Sequence, residues 1–558
     1  MASKKPNHVV VMAFPYGTHA MPLFNLVRRL AIQAPTLTFS FFSTSKSNQS
    51  VFGTSSNDNI PSNIKSYDVD DGVPKDFTGH HMAEMIFFLK SMVENYKNGI
   101  HSVYGDEMKM IKCFICDSFM YFGSDMADEL GVPMVSFWTA GPCSLSTHFY
   151  TDLIRQSITL GPNGREEEII DFVPGLSLIR IRDLQEGIIF GGLESEFSIM
   201  LHKMGSTLPR AAAVTMNSFA ELDLPIIEDF KCKFQKCLTL GPFTLTSKNS
   251  SHIHDDPSGG LTWLDKQSPN SVAYISFGTL TTPPPHELAA LAEGLEESGV
   301  PFLWSLKDHL VCQLPNGFLE RTSKTGFIVP WTPQQRVLGH HAVGVFVTHC
   351  GWNSVMESIT AGVPMICRPF FGDQRINCRM VSDVWGIGTR IKDGVFTKDG
   401  TKDCLDMILY EEKFRERIGA LRSLAKHAVG LEGSSTKNFN TLAEIVVMLG
   451  SSPISLSSCK MEGASPASQS PAAESTQVTA SATPTPQFDA TQETQQATHD
   501  PAAETEPKKK GKVRSIVWND STRLNDKQAQ CKHCKKKLQA DSQGNGTSNM
   551  KTHLGTCW

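Results

Sequence analysis

Short apolar runs recur along the first four-fifths of the chain, and most are followed by a stretch with helical spacing. His8–Phe14 is a continuous apolar run too short for a helix, so it reads as a buried strand. After a turn containing Gly17, Met21–Ala34 sets Leu23, Leu26, Val27 and Leu30 on one face at the 3.6-residue period. Leu37–Ser43 gives the next strand, and Cys113–Cys116 another, ahead of a helix over Phe122–Leu130. A second series opens with the strand Val272–Phe277. The helix Pro285–Ser298 follows, with Leu288, Leu291 and Leu295 on one face and Gly299 as its stop. Pro301–Leu306, Phe327–Val329, Val343–Thr348 and Pro364–Cys367 are further apolar strands. Strands alternating with helices predict parallel sheets covered on both faces, an α/β class. The polar stretch Thr244–Gly260 separates the two series. The pattern therefore predicts two Rossmann-like domains, 1–243 and 244–449, facing each other across a cleft.

The pattern stops near Gly450. Ser451–Pro507 holds 10 Ser, 10 Ala, 8 Thr and 7 Pro with one aromatic, Phe488, so it cannot bury enough apolar surface to offset its ordering entropy. Residues 450–507 are expected to be a disordered linker, and 508–558 a small separate module. Charge divides the same way. The whole chain of 558 residues carries a net charge of −5, but Lys508–Trp558 holds 12 Lys and Arg against 3 Asp and Glu. An acidic body with a basic tail suggests two modules with different partners.

The N-terminal apolar run is too short for a secretory signal and lacks a small-residue cleavage site. No uninterrupted apolar stretch approaches 18 residues, so no membrane span is expected. The 14 cysteines form no dense framework, which fits a reducing compartment. The expected location is cytoplasmic, or nuclear if the basic tail acts as a targeting or DNA-binding element.

The most specific stretch is Trp331–Gln374, WTPQQRVLGHHAVGVFVTHCGWNSVMESITAGVPMICRPFFGDQ. It resembles the signature box of plant family 1 UDP-glycosyltransferases in length and at Trp331, Pro333, Gln334, the run His349–Ser354, Glu357, Gly362, Pro364, Pro369, Asp373 and Gln374. Thr332 departs from the usual alanine. The resemblance implies a GT-B fold and a UDP-sugar site at Trp331, Thr332, Gln334, His349, Gly351, Trp352, Asn353, Ser354, Glu357, Asp373 and Gln374, with Thr139 and Thr279 touching sugar and diphosphate. It also implies glucose as the sugar, because Gln rather than His closes the box and Trp352 accompanies it.

The chemistry of the box is readable by itself. His349 stands where a strand ends and Asn353 where a helix starts. Free N–H groups at that helix end, with the small Gly351 allowing close approach, suit a diphosphate. Trp331 offers a face for uracil, Glu357 an acceptor for ribose hydroxyls, and the Asp373–Gln374 pair both acceptors and a donor for a sugar. No Asp-x-Asp motif occupies this region, so no metal is expected at the transferase site.

Transfer to a hydroxyl needs a base. His19 follows the first strand and Asp117 follows Cys113–Cys116, so both belong at the rim where open α/β sheets bind ligands. A histidine oriented by a carboxylate suits proton removal. The family resemblance gives the same assignment, His19 as base and Asp117 as partner. On this reading Asp117→Asn is milder than His19→Ala. Over Pro6–Leu449 the chain looks closest to flavonoid 3-O-glucosyltransferases, on SFWTAGPCSLSTHFYTDLIR and RPFFGDQRINCRMV. That implies a small phenolic acceptor, a flavonol or anthocyanidin, met by His19 and His148. Phe119, Phe190 and Phe371 are candidate walls for its slot.

In the tail, Cys531-x2-Cys534 followed by His553-x3-Cys557 has zinc-ligand spacing. SIVWNDSTRLNDKQAQCKHCKKKLQADSQGNGTSNMKTHLGTC resembles the BED zinc finger of transposase-derived plant proteins. Lys508–Lys510, Lys512, Arg514 and Lys535–Lys537 give it a phosphate-facing charge, so DNA is the expected partner. The competing readings are a glucosyltransferase for another small phenolic or terpenoid acceptor, and a DNA-binding protein with the transferase body as scaffold.

Overall fold

A computed structural model of the chain describes residues 7–53, 60–79, 81–158, 164–246, 256–449, 521–525, 528–531 and 537–539. The two strand series form two separate all-parallel sheets. The first comprises β1 (Asn7–Met12), β2 (Leu37–Thr44), β3 (Ile64–Val69), β4 (Ile111–Asp117), β5 (Met134–Trp138), β6 (Ala213–Met216) and β7 (Cys237–Thr239). Its strand order is β3-β2-β1-β4-β5-β6-β7. The second comprises β8 (Val272–Ser276), β9 (Phe302–Ser305), β10 (Gly326–Val329), β11 (Val343–Thr348), β12 (Met365–Cys367) and β13 (Gly388–Arg390), in the order β10-β9-β8-β11-β12-β13.

Both sheets bury both faces. Val9, Val11, Phe39 and Ile115 pack on one side of the first sheet, while Val10, Met12, Phe42 and Phe114 pack on the other. Near-continuous burial along β1, β2 and β4 is what their unbroken apolar runs require, since crossover helices cover each face. Strands β3, β5, β6, β7 and β13 were not legible in the pattern. They are three to six residues long, and several carry Ser, Thr or charged positions that break an apolar run.

The helix Pro285–Ser298 ends as its sequence says, with Gly299 in left-handed backbone at φ 65°. The helix expected from Asn353 begins one residue earlier, at Trp352. The last helix of the body, Ser434–Leu449, returns to the first sheet. Phe439, Leu442, Ala443 and Val446 join the core beside Val9 and Val11, and Asn438 Nδ2 donates to the Thr239 carbonyl at 3.0 Å. The chain therefore passes back over the domain boundary before it leaves the body.

The tail forms its own unit. Its described residues are three strands, Ser521–Asn525, Gln528–Cys531 and Lys537–Gln539, paired antiparallel in that order. The linker 450–507 and the ligands Cys534, His553 and Cys557 lie outside the described residues, and of Cys531 only the backbone is described.

Candidate active site

In each sheet the chain reverses its direction of winding between two neighbouring strands, β1 and β4 in the first, β8 and β11 in the second. Open α/β sheets bind ligands beyond the carboxyl ends of the strands at such a point. His19 lies past β1 and Asp117 is the last residue of β4; Thr279 and His349 lie past β8 and β11. The four residues thus come from the two switch points.

His19 Nδ1 is 2.9 Å from Asp117 Oδ2 and 3.1 Å from Thr139 Oγ1. Because Met12 of β1 pairs in register with Cys116 of β4, residues 98 positions apart meet at one rim. Asp117 is fully buried, and its Oδ1 accepts the Phe119 N–H at 3.0 Å. A carboxylate only accepts, so Nδ1 of His19 carries a proton; in the neutral tautomer this leaves the lone pair on Nε2. The ring stays partly exposed, against Phe119 at 4.5 Å and Phe14 at 5.1 Å between centroids.

Across the cleft the helix Trp352–Ala361 begins after Gly351, and no side chain caps it. Its first N–H groups are therefore left for another partner. His349 is packed closely here: a Cβ on Gly351 would stand 2.5 Å from its Nε2, and one on Gly278 3.0 Å from its Cε1. Burial pushes the imidazole down to about 4, so the ring is neutral, and its Nδ1 is buried without a partner. A buried polar atom without a partner is costly and is usually explained by a group not yet in place. Thr279 is exposed, with its carbonyl accepting from Lys307 Nζ at 2.8 Å.

Trp331 is 58% exposed and offers an open ring face. Thr332 is buried, its hydroxyl 2.8 Å from Tyr274 Oη, which also donates to Gln334 Oε1 at 3.2 Å. Gln334 Nε2 donates to Ser354 Oγ at 2.9 Å and Glu357 Oε2 at 2.7 Å. Glu357 is thereby aimed from the first turns of the helix, and burial raises its pKa. Asn353, on the helix's first turn, is half-buried. Trp352 differs from its neighbours in the box. Its side chain is buried in the domain interface, with the indole N–H donating to the Asn217 carbonyl at 2.8 Å and Gly141 beneath the ring.

Asp373 and Gln374 begin the helix Gln374–Arg379. Gln374 Oε1 accepts the N–H groups of Phe370 and Phe371 at 2.9 and 3.3 Å, so its NH2 group is the end left to donate. Asp373 Oδ2 accepts from Asn377 Nδ2 at 2.8 Å. Burial pushes the Asp373 carboxyl up to about 6, and the charged form of His19 works against that rise.

Glu186 was not singled out from sequence, and no motif marks it. Its Oε2 accepts the Gly372 N–H at 2.8 Å, and its Oε1 pairs with Arg375 at 2.9 Å. Arg379 adds a second link, donating to the Leu178 carbonyl at 2.9 Å. The segment Leu178–Phe190 of the first domain thereby grips the loop that ends in Asp373 and Gln374.

Of the acceptor candidates, Phe119 touches His19, Phe190 lies under Arg375, and Phe371 is 48% exposed. His148 is more deeply placed. It is 4% exposed, accepts from Gln185 Nε2 at 2.9 Å, and packs its ring 5.8 Å from Trp138, which in turn packs on Phe119. Burial pushes its pKa down to about 3, so it is neutral.

Two switch points, an uncapped helix end and a buried histidine whose Nδ1 lacks a partner suit a phosphate-bearing ligand. The profile of the family described as UDP-glucoronosyl and UDP-glucosyl transferase matches residues 199–429, and that of the BED zinc finger matches 515–557. An anthocyanidin 3-O-glucosyltransferase of Vitis vinifera is 52% identical over 445 residues, 79% of this chain and 97% of that protein. An anthocyanidin 3-O-galactosyltransferase of Rhododendron delavayi is 49% identical over 455 residues, 79% of this chain and 98% of its own length. The crystal structure of a UDP-glucose: anthocyanidin 3-O-glucosyltransferase in complex with UDP superposes with a TM-score of 0.75 at 40% identity, covering 80% of this chain and 100% of that one. The chain belongs to the UDP-glycosyltransferase family, is an enzyme that uses a UDP-sugar donor, and carries a BED zinc finger at its C-terminal end. No helix among the described residues is long and apolar enough to cross a membrane.

Proposed function

We propose that the enzyme transfers glucose from UDP-glucose, with inversion, to the 3-hydroxyl of a flavonol or anthocyanidin. The observation that carries this reading is the His19–Asp117 contact of 2.9 Å, which orients the imidazole by its Nδ1 and leaves Nε2 as the basic nitrogen of the neutral ring. His19 Nε2 takes the acceptor proton as the oxygen attacks the anomeric carbon of the α-linked donor. The bond from that carbon to the phosphate oxygen breaks, and a β-glucoside and UDP result. Charge gathers on the leaving diphosphate, where the N–H groups of the helix Trp352–Ala361, the neutral His349 and Asn353 donate to it. Trp331 stacks on uracil, the Thr332 backbone meets its edge, and Glu357 takes the ribose hydroxyls. Gln334 and Ser354 hold Glu357, and Trp352 fixes the helix against the first domain.

The acceptor lies over Phe119, beside His19, with Phe371 closing the slot. His148 and Gln185 reach it from beneath Trp138. A panel of UDP-sugars against flavonols, anthocyanidins and unrelated phenols, with product identification, tests the reading. A β-glucoside formed only on non-flavonoid acceptors would overturn the acceptor assignment.

Glu186 acts here as a positioning residue. Glu186→Gln removes the charge from the Gly372 and Arg375 contacts, so the KM for UDP-glucose rises about tenfold while kcat changes little. Initial rates at varied UDP-glucose check this; an unchanged KM means that the grip on the loop does not reach the sugar.

The tail is proposed to bind zinc through Cys531, Cys534, His553 and Cys557, a thiolate and imidazole set suited to that ion, and to contact DNA through its lysines. The body is cytoplasmic, and a functioning tail takes it to the nucleus. No metal takes part at the transferase site. EDTA therefore strips zinc and melts the tail, whose stability rests on about 10–16 kcal/mol of apparent metal binding, while glucosylation continues. Tail circular dichroism and turnover, read on the same sample, separate the two; loss of turnover with the zinc would place a metal in the reaction.

A further inference from the structure

Three thiols that the proposed reaction leaves idle converge behind the donor turn. Cys350, Cys367 and Cys378 are all buried, and their sulfurs lie within 4.8 Å of one another. They come from three segments: the turn between β11 and the helix Trp352–Ala361, the end of β12, and the helix Gln374–Arg379. None is in a disulfide. Outside the trio the Cys350 S–H reaches only the Thr348 carbonyl, at a long 3.9 Å, and within it the thiols hydrogen-bond one another.

Three sulfurs around one ion, with metal–sulfur bonds of about 2.3 Å, stand about 4 Å apart, a spacing this trio reaches with small adjustments. The three thiols belong to the buried apolar core around the second sheet, and thiolates select soft ions over hard ones. We propose that Cys350, Cys367 and Cys378 form a three-thiolate site for a soft, filled-shell cation, and that filling it weakens UDP-sugar binding. Each S–H bond breaks and releases its proton to solvent as a metal–sulfur bond forms. No oxidation occurs, and three protons leave per ion.

The link to the donor is short. Cys350 sits between His349 and Gly351 in left-handed backbone at φ 67°, where a β-carbon is already strained. Its carbonyl accepts from Asn377 Nδ2 at 3.0 Å, and the same amide group holds Asp373 Oδ2 at 2.8 Å. Drawing the Cys350 sulfur toward an ion shifts this turn and the Asp373 carboxyl together. The effect on affinity rests on the donor-site reading given above, whereas binding of the ion does not.

The test uses the full-length chain, reduced, with Cys531→Ser and Cys534→Ser to remove the tail's ligands. Cadmium is titrated, and its stoichiometry and thiolate-to-metal ultraviolet absorption are read by dialysis and spectroscopy. One equivalent binds, and Cys367→Ala or Cys378→Ser each abolish it while the melting temperature shows that at least one variant is folded. In the loaded protein the KM for UDP-glucose rises about tenfold, reversed by excess chelator, and in the variants cadmium leaves it alone. Equal cadmium binding and absorption in the parent and both variants would overturn the site. A loaded trio with unchanged KM would overturn the coupling. Trp331→Ala, assayed for UDP affinity alone, tests the donor-site reading separately, so the two failures are distinguishable.

Discussion

Replacing His19 by alanine lowers turnover about 10²–10⁴-fold and leaves UDP-sugar affinity nearly unchanged. The imidazole is the group whose free nitrogen opens on the cleft, while the donor contacts proposed above come from the other domain. The size of the loss is that of removing a positioned base without disturbing the binding of the leaving group. Single-turnover rates with saturating donor, together with UDP binding measured alone, check both halves. A folded variant with near-parental turnover would show that the proton leaves by another route.

The structure also changes the expectation for Asp117→Asn. Sequence reasoning made it the milder change, because the imidazole remains. But Asp117 Oδ1 accepts the Phe119 N–H and Oδ2 faces His19 Nδ1. An asparagine that keeps the Phe119 contact turns its NH2 toward Nδ1. The imidazole then carries its proton on Nε2, and the base is lost. Asp117→Asn is therefore as harmful as His19→Ala.

Gln374→His raises the kcat/KM ratio of UDP-galactose to UDP-glucose about tenfold or more. Overall similarity does not decide the donor, since a glucosyltransferase at 52% identity and a galactosyltransferase at 49% are both relatives. The two sugars differ in one hydroxyl orientation, so a single corner has to read it. Gln374 anchors its carbonyl oxygen on the Phe370 and Phe371 N–H groups and leaves its NH2 to donate. A histidine cannot accept both backbone groups and donate in the same direction, so the glucose contact is lost. Competition between the two donors in one reaction measures the ratio directly. A ratio unchanged from the parent would mean that Gln374 does not face the sugar.

Much of the chain's architecture follows from local sequence. Apolar runs such as His8–Phe14 and Val343–Thr348, too short for ordinary helices, form doubly buried strands, and the helix stop at Gly299 follows from its missing side chain. The box Trp331–Gln374 is contiguous, so its residues are brought together by one strand–turn–helix unit and are visible as a string. His19 and Asp117 were legible for a related reason: one follows a strand and the other ends one, and parallel strands put their carboxyl ends on one rim.

What the string could not carry was anything decided between distant segments. The strand order that sets β1 beside β4 fixes the 2.9 Å contact, and only packing chooses that order. Glu186 and Arg375 carry no motif, because a salt bridge across a cleft depends on how two domains dock, not on spacing along either. Trp352 looks like its neighbours in the box, yet helix geometry turns its indole into the domain interface. The thiols of Cys350, Cys367 and Cys378 read as idle cysteines until three segments close around them. Local patterns report which residues a segment must bury, whereas contacts between segments depend on the global packing that those burials jointly select.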